Sequence, residues 1–359
     1  MIDEILMGHP LMAKCTKFVT RHKPLTHRQW LAAMQQAPQL DLALDIYGEG
    51  PTIDILEDKM AKLLGKEKAI FVHKGMVGQH SVLLQHAKAS GKSKIAIHPQ
   101  SHIHHDESMA YQELLGLEGV MFGKNGCAIE EDDINGLPAD LALISVELPI
   151  RRAGYRLPEW ETLMHLKLHC ETNAIPLHID GARLFECADY WQKSYAEVAA
   201  LADSVYVSLY KTLGAAAGGI IAGDKAFIEQ LLPWRSRLGG NILTVFPYVL
   251  SALVGIEKYL PRVSEFNQRA LTLSQLIKDK LGDCAIPNKV QCNGFVVELP
   301  ITPSQLKEKA LSVAENERIW LFDRIIATEN NTSHFEIQIG DAMDDWSDQA
   351  YVNKLASLL

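Results

Sequence analysis

Short apolar runs alternate with longer amphipathic stretches from about residue 46 onward. The runs predict strands at residues 69–73, 94–98, 120–122, 141–147, 176–180, 204–209 and 218–222. Longer segments between several of them, such as residues 76–89 and 159–173, have the periodicity of helices. This alternation is typical of a mostly parallel sheet covered on both faces, so we expect an α/β fold.

The pattern changes after residue 246. Residues 246–281 predict a long helix that breaks near Pro261, because proline disrupts a helix interior. Beyond it, residues 294–299, 319–322 and 334–339 predict strands, and residues 302–316 and 347–358 predict helices. We therefore expect an N-terminal arm over residues 1–45, a large domain over 46–250 and a smaller α+β domain over 251–359.

Composition and charge narrow the class of protein. The 44 acidic residues outnumber the 35 basic ones and no basic block occurs, which argues against nucleic acid as a partner. No apolar run approaches the ~20 residues that cross a bilayer, and the N-terminus lacks the pattern of an export signal. The six cysteines show no metal-like spacing, which favours reduced thiols in the cytoplasm. We expect an acidic, cytoplasmic, two-lobed enzyme with no membrane partner.

Three charged residues follow two of the predicted strands. Asp180 and Arg183 come at and just after the end of one run, and Lys211 follows the next. Ligands of open α/β sheets bind beyond the carboxyl ends of the strands, so these side chains could face one site. Pyridoxal phosphate needs a Schiff-base lysine and an acidic partner for its ring nitrogen. The pattern therefore predicts a pyridoxal phosphate site, in which Ser208 could bind the cofactor phosphate.

A second phosphate contact is predicted where a strand leads through a glycine turn into a helix, at Gly75 and Met76. The start of a helix favours an anion because its N–H groups lack partners. Histidines 98, 102, 104 and 105 follow another strand without the spacing of a metal site, so we expect no metal there. A histidine ring that packs against the cofactor ring is the preferred interpretation.

Several ordered blocks resemble one known family. They are Tyr47-Gly-Glu-Gly-Pro-Thr, Ser101-His102-Ile, Leu177-His-Ile-Asp-Gly-Ala-Arg-Leu-Phe, Lys211-Thr-Leu-Gly-Ala and Trp234-Arg with a later Gly-Gly. The chain is similar to the pyridoxal-phosphate-dependent low-specificity threonine aldolases, within the β-eliminating lyases of fold type I, the aspartate aminotransferase-like fold. The resemblance implies that His102 stacks on the ring, Asp180 holds the ring nitrogen, Arg183 binds the substrate carboxylate and Lys211 forms the Schiff base. It also implies a homodimer or homotetramer.

Several positions depart from the family pattern, among them Lys74 in the phosphate turn and Tyr210 just before the lysine, where the family has serines. Met76 stands where the phosphate turn has a threonine, and Ile150 stands where a histidine lies near the substrate hydroxyl. Glu336 occupies the best counterpart of a second carboxylate-binding arginine. A carboxylate cannot bind a carboxylate, so either Arg183 acts alone, or an arginine at 151, 152 or 324 replaces the missing one, or the substrate is not a simple α-amino acid.

The first hypothesis is retro-aldol cleavage of a β-hydroxy-α-amino acid, of the threonine or phenylserine type, to glycine and an aldehyde. The base could be His102, His104, His105, a bound water or Glu107, which we also expect to contact the substrate. The second hypothesis is β-elimination or racemisation of another amino acid, which needs no proton removed from a β-hydroxyl. The third is a homologue that binds the cofactor without catalysis.

Overall fold

The computed structural model describes residues 3–359 and contains thirteen strands and fourteen α-helices in that range. The strands are β1 (Asp3–Ile5), β2 (Lys17–Phe18), β3 (Lys68–Val72), β4 (Lys94–Ile97), β5 (Glu118–Met121), β6 (Leu141–Glu147), β7 (Leu177–Asp180), β8 (Ser204–Ser208), β9 (Gly219–Gly223), β10 (Gly294–Leu299), β11 (Ile319–Trp320), β12 (Arg324–Ala327) and β13 (Ser333–Gln338). The helices are α1 (His27–Met34), α2 (Pro51–Leu63), α3 (Gly75–Ser90), α4 (His102–His105), α5 (Ala110–Glu113), α6 (Glu131–Asn135), α7 (Trp160–Asn173), α8 (Leu184–Trp191), α9 (Tyr195–Ala199), α10 (Lys225–Arg237), α11 (Phe246–Tyr259), α12 (Val263–Leu281), α13 (Pro303–Glu317) and α14 (Asp348–Ala356).

The described chain forms two compact units. One is Thr26–Pro261, and the other combines the chain up to Leu25 with Arg262–Leu359. The units therefore divide near residues 25 and 261, whereas the sequence predicted domain limits near residues 45 and 250. Helix α1 packs on α11, whereas β1 and β2 pair with the C-terminal strands β12 and β11. Pairing between distant segments therefore divides the N-terminal region between the two units.

A seven-stranded sheet forms the centre of the Thr26–Pro261 unit, with the order β3-β9-β8-β7-β6-β4-β5. Strands β4 to β8 run parallel, and β9 runs antiparallel to both of its neighbours. Residues 209–218 connect β8 to β9, which is shorter than the dozen or so residues of a parallel crossover. The expected mostly parallel α/β sheet is confirmed.

The middle of this sheet is fully buried. Every residue of β6, β7 and β8 is buried, including the polar residues at the strand ends. Central parallel strands carry helices on both faces, which explains their nearly continuous apolar sequences. The polar residues at the ends of such strands are therefore held in place by a rigid apolar layer.

The other unit has an antiparallel sheet with the order β1-β12-β13-β10 and a parallel pair of β11 with β2. Arg324 begins β12, opposite Ile5, and Glu336 lies on β13, opposite Val296. The predicted break near Pro261 is confirmed, because α11 ends at Tyr259 and α12 begins at Val263. Within residues 3–359, no helix combines the length and apolar character needed to cross a membrane.

Candidate active site

Three polar residues end three neighbouring parallel strands. Glu147 ends β6, Asp180 ends β7 and Ser208 ends β8. The register places Glu147 opposite Asp180 and Asp180 opposite Tyr206. Parallel strands end at one edge of the sheet, so the strand register alone brings these three residues to the same edge.

A cleft of about 740 Å³, including its open mouth, lies at this edge and is called the carboxyl-end cleft below. Its lining consists of Lys74, Gly75, Met76, Gln79, His102, Asp106, Glu107, Glu147, Arg151, Arg152, Asp180, Ala182, Arg183, Tyr206, Tyr210 and Lys211. All the site residues predicted from the sequence line it except Ser208, which ends the strand of Tyr206. His104 and His105 are not part of the lining, and His104 Nδ1 lies 3.2 Å from the hydroxyl of Tyr111.

Asp180 is a buried carboxylate, and the protein itself stabilises its charge with few hydrogen bonds. Its side chain accepts one hydrogen bond, from Ala182 N to Oδ1 at 3.2 Å. Burial, reinforced by the charge of Glu147 on the next strand, raises the pKa of Asp180 to about 7. A cation placed beside this carboxyl group would remove most of that cost. The residue therefore suits a protonated nitrogen of a ligand.

Lys211 follows β8 in a loop that other side chains fix in place. Its Nζ lies 5.1 Å from the ring centre of Tyr210. The hydroxyl of the next residue, Thr212, donates a short hydrogen bond to Glu186, a fully buried residue of α8. Burial raises the pKa of Glu186, while the hydrogen bond from Thr212 and the charges of Arg183 and Lys211 act to lower it. Arg183 and Lys211, two of the cations that line the cleft, therefore both stabilise the charge of one buried acid.

Arg183 lies just before α8 and is only 6% exposed. Its guanidinium carbon is 5.7 Å from the ring centre of Tyr155, within range of a cation–π contact. Its Nε is buried without a hydrogen-bond partner among residues 3–359. A buried donor of this kind costs free energy unless something accepts its hydrogen bond. An anionic ligand in the cleft would supply that acceptor.

His102, Glu107 and His80 form a line of hydrogen bonds. His102 Nδ1 is 3.0 Å from one oxygen of Glu107, and His80 Nε2 is 2.9 Å from the other. Burial acts to lower the pKa of His102, but the hydrogen bond to Glu107 and the nearby carboxylates raise it above its ordinary value. Glu147 accepts a hydrogen bond from the backbone N of His102 at 2.6 Å, which fixes the start of α4.

A second buried histidine orients a glutamine of the lining. Burial lowers the pKa of His178 to about 3, so its ring is neutral. Its Nε2 lies 2.6 Å from Gln79 Oε1, and its Nδ1 lies 2.8 Å from the Ser204 hydroxyl. The amide oxygen can only accept, so Nε2 carries the proton. The amide nitrogen of Gln79 is then a donor for a ligand in the cleft.

The phosphate candidates lie at the same edge of the sheet. Helix α3 begins at Gly75, where a side chain would collide with Tyr206, because a Cβ atom would be 2.5 Å from its hydroxyl. Ser208 Oγ is buried and makes no hydrogen bond of normal geometry within the described residues. A polar atom in this state fits an acceptor-rich ligand such as a phosphate group.

Arg152 and Asp106 form a bidentate ion pair at the rim, with distances of 2.8 and 2.6 Å. Burial acts to raise the pKa of Asp106, but the hydrogen bonds from Arg152 outweigh it and lower the pKa to about 2.

The described side chains include no group of three or more histidine, cysteine, aspartate or glutamate residues that could hold a metal ion.

Sequence reasoning missed several residues of the lining, namely Gln79, Glu147, Tyr206, Tyr210 and, behind the lining, His80. Glu147 could have been found, because it ends the longest predicted strand at the same edge as Asp180. The others had no usable signal. Gln79 and His80 contact residues 99 and 27 positions away in the sequence.

Comparisons with known proteins point to one family. A sequence model of the beta-eliminating lyases matches residues 27–301. The chain is 28% identical over 306 residues to low-specificity L-threonine aldolase 1 of Arabidopsis thaliana, covering 82% of this chain and 83% of the relative. It is 25% identical over 264 residues to the low specificity L-threonine aldolase of Escherichia coli K12, covering 71% and 77%.

A solved structure is similar over nearly the whole length. It is a protein of Listeria monocytogenes EGD-E, provisionally described as an L-allo-threonine aldolase, with a TM-score of 0.90 and 30% identity. The similarity covers 97% of this chain and 98% of that one. All sixteen lining residues of the carboxyl-end cleft fall within the range of the matching sequence model.

Proposed function

Because the chain belongs to the β-eliminating lyase family, we propose that it uses pyridoxal phosphate to cleave a β-hydroxy-α-amino acid, of the threonine or phenylserine type, into glycine and an aldehyde. The observation that carries this proposal is the meeting of Lys211, Asp180, Arg183 and His102 in one cleft. Most of the matched relatives are named threonine aldolases, which favours retro-aldol cleavage over elimination, racemisation or a homologue without catalysis.

The residues of the cleft fit the cofactor. Lys211 would hold its aldehyde carbon, and Asp180 would pair with its ring nitrogen. The start of α3 at Gly75 and Met76, together with Ser208, would bind its phosphate. The buried Ser208 Oγ and the buried carboxyl of Asp180 both lack the partners that such a group provides. When bound, pyridoxal phosphate supplies an electron sink for the pair released from the broken bond.

Asp180 would keep a proton on the ring nitrogen throughout the reaction. A carboxylate within about 4–6 Å of a cation stabilises both charged forms. Burial strengthens this effect, because few water molecules screen the pair. Without a ligand, burial makes the Asp180 carboxyl group costly to ionise, and its pKa is raised for that reason. A cationic ring nitrogen beside it would remove that cost.

Arg183 would bind the substrate carboxylate and orient the Cα–Cβ bond. Its buried Nε lacks an acceptor, and a bidentate pair with a carboxylate would satisfy it. Two of the three arginines considered as replacements for the missing family arginine, Arg151 and Arg152, line the same cleft. Fixing the substrate in this way converts binding energy into correct orientation of the reacting bond.

His102 is the base that we propose for the β-hydroxyl proton. Its Nδ1 is engaged by Glu107, which leaves Nε2 on the opposite side of the ring. The side chain of His102 is 43% exposed and lines the cleft, whereas Glu107 is nearly inaccessible. An imidazole held by a buried carboxylate is a stronger and better oriented proton acceptor.

We also propose a homodimer or homotetramer. Four apolar side chains, Leu44, Ile46, Tyr47 and Leu243, are each between 56% and 59% exposed. Tyr47 N donates to Leu243 O at 2.9 Å, so the two segments lie side by side. Apolar groups exposed together commonly mark an interface. Leu243→Asp should shift the mass measured by light scattering to a smaller species, while Leu168→Asp, at a comparably exposed leucine, should leave it unchanged.

A cytoplasmic location completes the proposal. All six cysteines lie within residues 3–359, and none of them forms a disulfide. This is the usual state of cysteines in a reducing compartment. Oxidised and reduced samples with the same unfolding midpoint would support it.

Product analysis tests the reaction. Purified protein loaded with pyridoxal phosphate is given L-threonine, L-allo-threonine and phenylserine in separate reactions. We expect glycine and the matching aldehyde in equal amounts from at least one of them, and neither from Lys211→Ala. Pyruvate and ammonia instead of glycine, or a change of optical rotation alone, would contradict retro-aldol cleavage.

A further inference from the structure

We propose that His80, which does not line the cleft, is a positioning residue that shares Glu107 with His102 and thereby fixes which nitrogen of His102 accepts a proton. This role of His80 rests on the proposed function only in making His102 the base, and the hydrogen bonds themselves are independent of that assignment.

The contacts are short and buried. Glu107 lies between the two imidazoles, with His102 Nδ1 at 3.0 Å from Oε1 and His80 Nε2 at 2.9 Å from Oε2. The side chains of His80 and Glu107 are 4% and 2% exposed. Water therefore has little access to the carboxylate, and the two histidines are its main hydrogen-bond donors.

The charge of Glu107 decides where the protons lie. Burial acts to raise its pKa, but the hydrogen bonds from His102 and His80 lower it to about 2, so it is a carboxylate at any working pH. A carboxylate only accepts hydrogen bonds. The protons in both contacts therefore belong to nitrogen, on Nδ1 of His102 and on Nε2 of His80. Neutral His102 must then carry its lone pair on Nε2.

Other charged groups also face His102. Asp180 and Glu147 come from the ends of β7 and β6, and Asp106 follows α4 itself. These three carboxylates act on the charge of the ring but make no side-chain hydrogen bond to it. Only Glu107 can select between the two nitrogens, and His80 is the donor that holds the second oxygen of Glu107.

Because Glu107 accepts hydrogen bonds from both histidines, its hydrogen bond with His102 should be weaker than it would be with His102 alone. A carboxylate that accepts two strong hydrogen bonds has less negative charge to offer to each donor. Without the His80 donor, Glu107 would hold the proton of His102 more tightly and could rotate. We therefore expect removal of that donor to raise the pKa of His102 and to loosen its ring.

The test is a histidine-selective nitrogen-15 and carbon-13 NMR titration of the full-length, cofactor-loaded protein. His102→Asn assigns the signal among the 14 histidines. In His80→Phe, which keeps a ring but removes the donor, the pKa of His102 should rise by roughly 0.5–1. In His80→Gln, which keeps an N–H donor, it should stay close to the wild-type value. The acid limb of kcat/KM should move to higher pH in His80→Phe alone.

A measurement on the wild type keeps the proposal falsifiable if His80→Phe does not fold. Above its pKa, His102 should show nitrogen shifts of the Nδ1–H form. The Nε2–H form would overturn the proposal, and so would an unchanged His102 pKa in folded His80→Phe. The NMR readouts do not depend on the reaction catalysed, so loss of the aldolase proposal would leave them intact.

Discussion

Two clefts lie at opposite ends of strands β7 and β8, and both contain lysines and carboxylates. With its open mouth included, the carboxyl-end cleft measures about 740 Å³ and the second cleft about 910 Å³. The second is lined by Lys66, Lys167, Cys170 and Asp203 among others. We call the second one the amino-end cleft. Size and charge alone do not distinguish the two.

The polar groups of the amino-end cleft are used by the protein itself. Lys66 Nζ donates to Ala202 O at 2.6 Å, and Lys167 Nζ donates to Ala200 O at 3.2 Å. Both carbonyls follow α9, where free acceptors are expected at a helix end. Asp203 accepts from Leu177 N at 2.7 Å, which joins the starts of the two strands. These charges stabilise the fold.

The carboxyl-end cleft retains unsatisfied groups. Arg183 Nε and Ser208 Oγ are buried without a hydrogen bond of normal geometry inside residues 3–359, and Asp180 is buried with one weak donor. Such groups are uncommon in folded proteins, and a ligand bound in this cleft would complete them. Between these two clefts, buried polar atoms that lack a partner, more than charge or volume, distinguish the carboxyl-end cleft.

The largest expected difference is between the lysines of the two clefts. Lys211→Ala removes the amine that would hold the cofactor and should lower kcat/KM roughly 10³-fold or more. Lys66→Ala in the amino-end cleft should keep kcat/KM within about threefold of wild type. Aldehyde release measured with both variants checks this. Equal losses of kcat/KM in the two would contradict the assignment of the carboxyl-end cleft as the active site.

The aspartates come next. Asp180→Asn should reduce kcat about 10²–10³-fold, because an amide cannot stabilise a charged ring nitrogen as a carboxylate does. Asp203→Asn keeps an oxygen that accepts from Leu177 N and should leave kcat unchanged. Steady-state kinetics on both proteins decide the point, provided that circular dichroism shows each one folded. A fully active Asp180→Asn would exclude the assigned role.

The arginine should act mainly on binding. Arg183→Gln loses a charged contact to a carboxylate worth roughly 1.5–3 kcal/mol, so KM should rise about 10–100-fold. Lys167→Gln is the matched change at the amino-end cleft and should leave KM as it is. If Arg183→Gln lowers kcat without raising KM, the residue contacts the substrate in another way.

A pH titration of stability would sharpen the comparison further. The pKa of Asp180 is raised from 3.8 to about 7, so the folded, cofactor-free protein binds a proton that the unfolded chain releases. Its stabilising contribution is complete below about pH 4 and is lost as the pH rises to about 7. The free energy of unfolding of wild type relative to Asp180→Asn should therefore fall over that range. A difference that stays constant from pH 4 to 8 would contradict the raised pKa.

The smallest effect is on stability at the amino-end cleft. Lys66→Ala removes one hydrogen bond to a helix-end carbonyl and should lower the free energy of unfolding by about 0.5–1.5 kcal/mol. Urea denaturation of the cofactor-free protein measures it. A much larger loss would show that Lys66 has a role beyond this contact.

Sequence reasoning found the residues whose role depends on local position. Asp180, Arg183 and Lys211 follow apolar runs, and the rule that ligands bind at carboxyl ends of strands brought them together. The parallel sheet and the break near Pro261 were predicted for the same reason, because periodicity and proline act over short distances. These features need no knowledge of distant contacts.

The rest depends on contacts between distant segments. The strands β1 and β2 are two or three residues long and are defined by their partners near residues 319 and 325. The His80–Glu107 pair and the orientation of Gln79 by His178 depend on packing of side chains from separate elements. A single sequence carries no signal for such pairs.

The most direct test of the central claim is to identify the lysine that carries the cofactor. Borohydride reduction fixes pyridoxal phosphate on that lysine, and peptide mass spectrometry then locates it. We predict the added mass on the peptide that contains Lys211, with none on the peptide that contains Lys66. The label on Lys66 or on Lys74, with Lys211 unmodified, would contradict the account.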